Sequence, residues 1–460
     1  MNALSRLGLL WRRLQRPVTP RRSRQAGMAL IVVTVTLAVL GAVVGDFSFN
    51  SRVDLEAAAN ARDTLRAEYL ARSGMQLSRL LIKVQQSVLD VNRQYIGDMQ
   101  IADFAPYLMK AFGGEADERA GLGSLLGFDV SQMKGLGVGK GATFDVTMAS
   151  DDGRINLNCG GGLNPNTQQA QALYGLLAAL FWSPRYDNPP WRIFGWPDSD
   201  GQIATRDDTS RAIIDWTDVD EQGFVPTVTT TGQTAPSSSG GGAEASYDAS
   251  KDPYRARNNF FDTLEEVNLV RGVGDALWSS FGELFTVYGG CKVNIGAVPA
   301  EKWPILAAII RYSAKDPTSQ ILLDDVQVAA LSQRILGLMS MTGGALVKDI
   351  DTFIKFINDP QSAMESMIPG GSSSSTSSSS SSSSTGLLGI QLDSTKAKQV
   401  MTMGARRIYR LDSVGTIQRT REKKIQVHIR GIWDTEHVNQ NTTSIDPNDL
   451  KGTWLYWRQD

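Results

Sequence analysis

Residues 211–221 read RAIIDWTDVDE and place Asp215, Asp218, Asp220 and Glu221 within seven positions; Glu244 and Asp248 follow in GGAEASYD. Carboxylates this close repel one another unless water surrounds them or a hard cation is shared, and calcium takes roughly six to eight oxygen ligands. The spacing is not that of an EF-hand, because neither the glycine nor the bidentate glutamate falls at its required place. Taken alone, the run reads either as a solvated acidic loop or as part of a calcium site.

Other chemistry has little material to work with. His428 and His437 are the only histidines, which leaves no basis for a histidine triad or a zinc cluster. Cys159 and Cys291 are the only cysteines and form no CxxC pattern. Gly-x-Ser-x-Gly, P-loop and His-Glu-x-x-His patterns are absent. The net charge of −2 offers no basic field for nucleic acid. Residues 263–281, TLEEVNLVRGVGDALWSSF, have the look of a helix–hairpin–helix centred on Arg271-Gly-Val-Gly274, an element whose amides hold phosphate in some proteins. Glu265, Glu266 and Asp275 flank it without a basic stripe, so a packing hairpin is the better reading. These observations point away from an enzyme.

The positioning elements begin with a strongly asymmetric N-terminus. Residues 1–27 carry seven arginines and no acid. The segment Ala26–Gly45 then runs twenty residues without a charge. As a helix it spans roughly 30 Å, the thickness of a bilayer's hydrocarbon core. The arginine cluster lies before it, which places the leader in the cytoplasm and the rest of the chain across the membrane. A cleaved secretory signal is the alternative, but its apolar region is usually about 7–15 residues. Helix formers continue through residues 54–88, with Leu65, Tyr69, Leu77, Leu80, Leu81, Val84 and Val88 near helical spacing and Glu68–Arg72 as an i,i+4 pair. One helix is therefore expected from Met28 to about Val88.

The basic leader, Gly27, the apolar helix and RDTLRAEYLARSGMQLSRLL together resemble the minor pseudopilins of type II secretion systems. The likeness is narrowest to the K component of the general secretion pathway. Cleavage after Gly27 makes Met28 the mature N-terminus and Val32 the fifth residue, where ordinary pilins carry glutamate. The K component characteristically lacks that glutamate, and the resemblance implies a subunit at the filament tip. DDGRINLN (151–158) is similar to a family element in which an Asp-Gly turn precedes Ile-Asn-Leu-Asn, and CKVNIGAVPAEKWPILAAII (291–310) echoes it.

Local patterns fill in the remainder. FDVTM and RINLN, split by Asp-Asp-Gly, read as strand–turn–strand. Residues 165–225 and 253–362 are mainly helical by pattern. RRIYRLDSVGTI (406–417) and KKIQVHIRGIW (423–433) suit an antiparallel hairpin. Ser372–Ser384 is serine except for Thr376 and serves as a linker. The expected class is α+β: a pilin-like fold, with a long transmembrane helix on a small antiparallel sheet and a large inserted all-α domain. Its expected divisions are a leader at 1–27, the helix at 28–90 (membrane part 28–45), sheet-side segments at 91–164 and 386–460, the inserted domain at 165–370, and the linker at 371–385.

The resemblance also carries site expectations. Asp215, Trp216, Asp218 and Asp220 match the family's DWIDxD, while Gly242, Ala243, Glu244 and Tyr247 match most of its GAExxYY near bound calcium. It implies Asp218, Asp220, Glu244 and Asp248 as calcium ligands, with Asp215 serving the fold. Gly27 and Met28 are the implied processing residues for a prepilin peptidase that cleaves and methylates. Cys159 and Cys291 each adjoin an Asn-containing strand and face an oxidising compartment, so a disulfide is expected, two buried thiols being the alternative. Implied partners are the other minor pseudopilins, the major pseudopilin, secreted substrates and the outer-membrane secretin, and no nucleic acid. The implied location is the bacterial inner membrane, crossed once, with the bulk periplasmic. A type IV pilus or DNA-uptake component is the alternative reading.

Overall fold

A computed structural model of the chain describes residues 23–90, 100, 141–161, 167–197, 201, 203–227, 247, 253–341, 347, 349–358, 390–419, 423–435 and 452–460. The leader up to residue 22, Glu244, Asp248 and the Ser-rich run lie outside the described residues. The chain divides into two compact units, at Arg66 and Ala67.

The first helix, α1 (Ser23–Val84), has 62 residues and starts five residues before Met28. In the first unit its apolar side chains from Met28 to Val44 are exposed. Its most apolar window has a mean hydropathy of 2.6, making it long and apolar enough to cross a membrane. The Thr34 and Thr36 hydroxyls donate to carbonyls one turn back, Leu30 at 3.0 Å and Val32 at 2.8 Å, so neither needs water.

The second unit continues with strands β1 (Ala142–Ser150) and β2 (Ile155–Asn156), then helices α2 (Gln168–Leu180), α3 (Arg206–Asp215) and α4 (Asp275–Phe281). Next come β3 (Phe285–Thr286), β4 (Val293–Asn294), α5 (Trp303–Ser313), α6 (Gln320–Leu323), α7 (Asp325–Met341), α8 (Ile350–Asn358) and α9 (Ser394–Val400). The chain ends with β5 (Met401–Thr402), β6 (Ile408–Gln418), β7 (Lys424–Asp434) and β8 (Thr453–Gln459).

A four-stranded antiparallel sheet has the order β1-β6-β7-β8. Alternation aims Phe144, Val146, Met148, Leu411, Val427 and Ile429 into one core, which is shared with Ala67, Ala71, Met75 and Ile82 of α1. The helix face is built from small residues, so the two backbones nearly touch. A Cβ on Gly74 would lie 2.7 Å from Val146 Cγ2, and one on Gly415 would lie 2.8 Å from the Ala71 nitrogen. Ser413 seals the contact by donating to the Ala71 carbonyl at 2.8 Å. Gly74, a mild helix weakener by propensity, is thus one of the points where helix and sheet leave no room for a side chain.

A second, larger core is helical. α2 and α5 lie at its centre, with Leu177, Phe181, Ile309 and Ile310 almost wholly buried. It is organised as two similar loops: β2 pairs in parallel with β3, and β4 with β5. Each loop starts with a short strand containing asparagine, makes a 3-10 turn and enters a helix. Asn156 donates to the Gly289 carbonyl at 2.8 Å, and Asn294 donates to that of Gly404 at 3.0 Å.

Two expectations are corrected. FDVTM and RINLN do not pair with each other: β1 pairs with β6, while Ile155–Asn156 joins β3. The Asp-Asp-Gly turn is occupied elsewhere: Asp152 accepts the amides of Arg407 (2.6 Å) and Ile408 (2.9 Å), which steers the chain out of the sheet. The division between the cores also moves. Ile155, Leu157 and Cys159, expected on the sheet side, are buried in the helical core, as are Ile390, Leu392, Ala397, Val400 and Met401. The changeover therefore falls between β1 and β2, and between β5 and β6.

Candidate functional site

The acidic turn follows directly from α3. Thr205 caps that helix in a reciprocal box with Asp208, and Asp215 ends it. Asp215 is buried and accepts the Phe224 amide at 2.6 Å, closing the turn that contains the other acids. Asp218 is fully buried, its amide donating to the Ile214 carbonyl at 3.1 Å. Asp220 accepts the Gln222 amide at 2.7 Å, and its carbonyl accepts from Asn258 at 3.0 Å.

Trp216 organises the surroundings of this turn. Its indole donates to Glu266 at 3.3 Å, and its ring meets Tyr247 edge-on at 5.4 Å and Phe261 face-on at 6.3 Å. Tyr247, from the second family-like motif, is thereby packed beside the first motif's tryptophan. Among the described residues, no group of three or more histidine, cysteine, aspartate or glutamate side chains could hold a metal. Asp218 and Asp220 are the two expected ligands among them.

Gly27 and Met28 both lie in α1. Cys159 and Cys291 are joined in a disulfide with a Cα–Cα distance of 5.4 Å. Cys159 lies in the 3-10 turn after β2 and Cys291 stands two residues before β4, so the bridge ties together the starts of the two helical loops.

The hairpin at 263–281 has a 3-10 helix, Leu264–Leu269, in place of a first α-helix. Gly272 has φ +83°, and a Cβ there would lie 2.9 Å from that of Ala204. The amide of Arg271 donates to the Tyr247 hydroxyl at 3.4 Å and that of Val273 to the Val270 carbonyl at 3.0 Å. Both amides are committed to internal packing.

A buried ionic junction was not anticipated from the sequence. Asp151 is fully buried, with Arg410 at 3.0 Å, Arg154 at 3.2 Å and the Thr286 hydroxyl donating at 2.8 Å. Burial alone would raise its pKa, but Arg410 and Arg154 outweigh it and hold the carboxyl below the ordinary carboxylate value. For neighbouring Asp152, burial prevails over the Ile408 and Arg407 amides and pushes its pKa up. Lys302, donating to the Glu283 carbonyl at 2.9 Å, is pushed down to about 8, first by burial and then by Arg154. Arg410 belongs to β6 and Thr286 to β3, so Asp151 bonds the sheet and the helical core to each other. The signal available in the sequence was the doubled aspartate, which a turn alone does not require.

An apolar N-terminal helix, an antiparallel sheet packed on its later turns and a helical region inserted between two strands define a pilin-like α+β arrangement. No family model matches the chain, and no curated protein matches it. Among solved structures it is similar to a chain of the GspK-GspI-GspJ complex from the enterotoxigenic Escherichia coli type 2 secretion system, at 13% identity and a TM-score of 0.42. That match covers 89% of this chain and 99% of the other.

Proposed function

We propose that this chain is a minor pseudopilin of a type II protein secretion system that caps the periplasmic pseudopilus and helps to start its assembly. The observation that carries this reading is α1 itself. Its early turns expose an unbroken apolar surface, and its later turns carry the small residues that seat a sheet. Such a helix both holds a subunit in the inner membrane and serves as the spine of its exported part. The work done is mechanical rather than catalytic. A prepilin peptidase cleaves between Gly27 and Met28 and methylates the new amine. Val32, standing where ordinary pilins have glutamate, suits a subunit with none ahead of it. The partners in this reading are companion minor pseudopilins and the major pseudopilin, with the helical region directed toward secreted proteins or the secretin.

Mass spectrometry of the mature N-terminus tests the proposal. N-methylated Met28 is the expected result, and an N-terminus at Asp46 would sink it. Asp218, Asp220, Glu244 and Asp248 are proposed as calcium ligands, with calcium stabilising the acidic turn. Thermal melts of the full chain with calcium or with chelator check this: the chelated protein melts lower, and an unchanged midpoint removes the site.

A further inference from the structure

The loop joining α2 to α3 carries an exposed aromatic and cationic surface that the assembly reading does not use. Trp191 and Trp196 keep 46% and 41% of their surface in solvent. Each has a guanidinium laid over it: Arg185 lies 5.9 Å from the Trp191 ring centre and Arg192 lies 4.4 Å from that of Trp196. The surface is built rather than loose. Tyr186 and Phe194 anchor the loop in the helical core, and the Ile193 amide donates to the Tyr186 carbonyl at 2.7 Å. The Trp196 indole donates to the Asp187 carbonyl at 2.8 Å, while Trp191 meets Tyr186 edge-on. Arg192 has φ +45°, a left-handed conformation that an arginine keeps only where its surroundings hold it.

Charge decides what this surface suits. Asp187 is taken by Arg206 at 2.7 Å, and Arg185 reaches Asp325 only at 4.0 Å. Arg192 makes no ion pair among the described residues. A rigid patch of tryptophan and arginine is the composition of protein-interface hot spots, where aromatic rings take apolar side chains and guanidinium groups take carboxylates. We propose that this loop is a docking surface for a protein segment in which acidic residues alternate with aliphatic or aromatic ones. A membrane surface fits less well, because both rings lie against the protein with the Trp196 indole N–H already bonded, and neither projects as an inserting anchor does. The proposal stands independently of the pseudopilin reading.

The test uses the full chain in nanodiscs of neutral lipid. One fluorescent synthetic peptide alternates glutamate with leucine and phenylalanine, and a counterpart carries lysine in place of glutamate. Anisotropy should show binding of the acidic peptide alone. Arg192→Ala and Trp196→Ala should each weaken it about tenfold, and Arg192→Lys should restore only part, since an ammonium lacks the planar stacking group. Leu455→Ala, on β8, should leave affinity unchanged and serves as the control for folding. Equal binding of both peptides, no binding, or full affinity in Arg192→Ala would overturn the proposal. So would Arg192-dependent binding of phosphatidylglycerol vesicles without peptide binding, which would assign the surface to lipid.

Discussion

Replacing Asp151 by alanine tests whether the two cores are held together by charge. Asp151 sits between Arg410 of β6 and Arg154, with Thr286 of β3 as third partner, and its side chain is wholly inaccessible. Removing one member of a buried ionic network costs about 3–5 kcal/mol, because the remaining charges stay desolvated. Arg410 keeps 36% of its side-chain surface in water and recovers part of its hydration, whereas Arg154 keeps only 11%. The expected loss therefore falls at the lower end, about 3 kcal/mol. Urea unfolding of the detergent-solubilised chain, followed by tryptophan fluorescence, should show a lower midpoint at unchanged slope. Adding Arg410→Ala should cost less than the two single changes summed, by about 1–2 kcal/mol. The dependence on pH has a definite sign. The folded pKa of Asp151 is lowered, so its contribution is present above the unfolded value of about 3.9 and is lost as pH falls through the folded value. The gap between the natural chain and Asp151→Asn should thus close in acid. A loss below about 1 kcal/mol for Asp151→Ala, or a gap that fails to narrow as the pH falls below about 3.9, would refute the argument.

Gly415→Ala should destabilise by about 3 kcal/mol, since its Cβ would press on the backbone of α1 at Ala67 and Ala71, while Gly404→Ala, with nothing within 4 Å, should stay within about 0.5 kcal/mol; matched denaturation curves distinguish them. Reducing Cys159–Cys291, which closes a sequence separation of 132, should cost about 2–5 kcal/mol and lower the melting midpoint of the natural chain but not of Cys159→Ser/Cys291→Ser.

What could be read in advance depended on how local each signal was. α1 was legible because its apolar run and its helix formers lie in one unbroken stretch. The β6–β7 hairpin was legible because Tyr409, Leu411, Val427 and Ile429 alternate on either side of a short turn. β1 was recognised as a strand and given the wrong neighbour. Asp-Asp-Gly is a strong local turn signal, and the groups that redirect it, Arg407 and Arg410, lie more than 250 positions away. β8 lay inside the expected sheet-side segment without being singled out as a strand, because Trp454, Leu455 and Trp457 do not alternate cleanly; a register shift at Ile432 and Trp433 lies opposite them. Parallel pairings two residues long leave no periodicity to detect. In the acidic turn, the motif gave Asp215 its place in the fold. Nothing in the spacing showed that Asp218 is fully enclosed while Glu221 stays exposed.

The helical region leaves the sheet after Ser150 and comes back at Ile408, and Ser150 lies directly opposite Tyr409 in the ladder. Outgoing and incoming chain are therefore neighbours across a single rung. The register of the sheet is independent of how much polypeptide is looped out between them. Lengthening or trimming the excursion shifts no strand, much as a pendant can be exchanged without restringing the necklace. A tight turn joining Ser150 to Tyr409 would leave a small helix-on-sheet protein, and a different excursion grafted at the same rung would inherit the same long N-terminal helix.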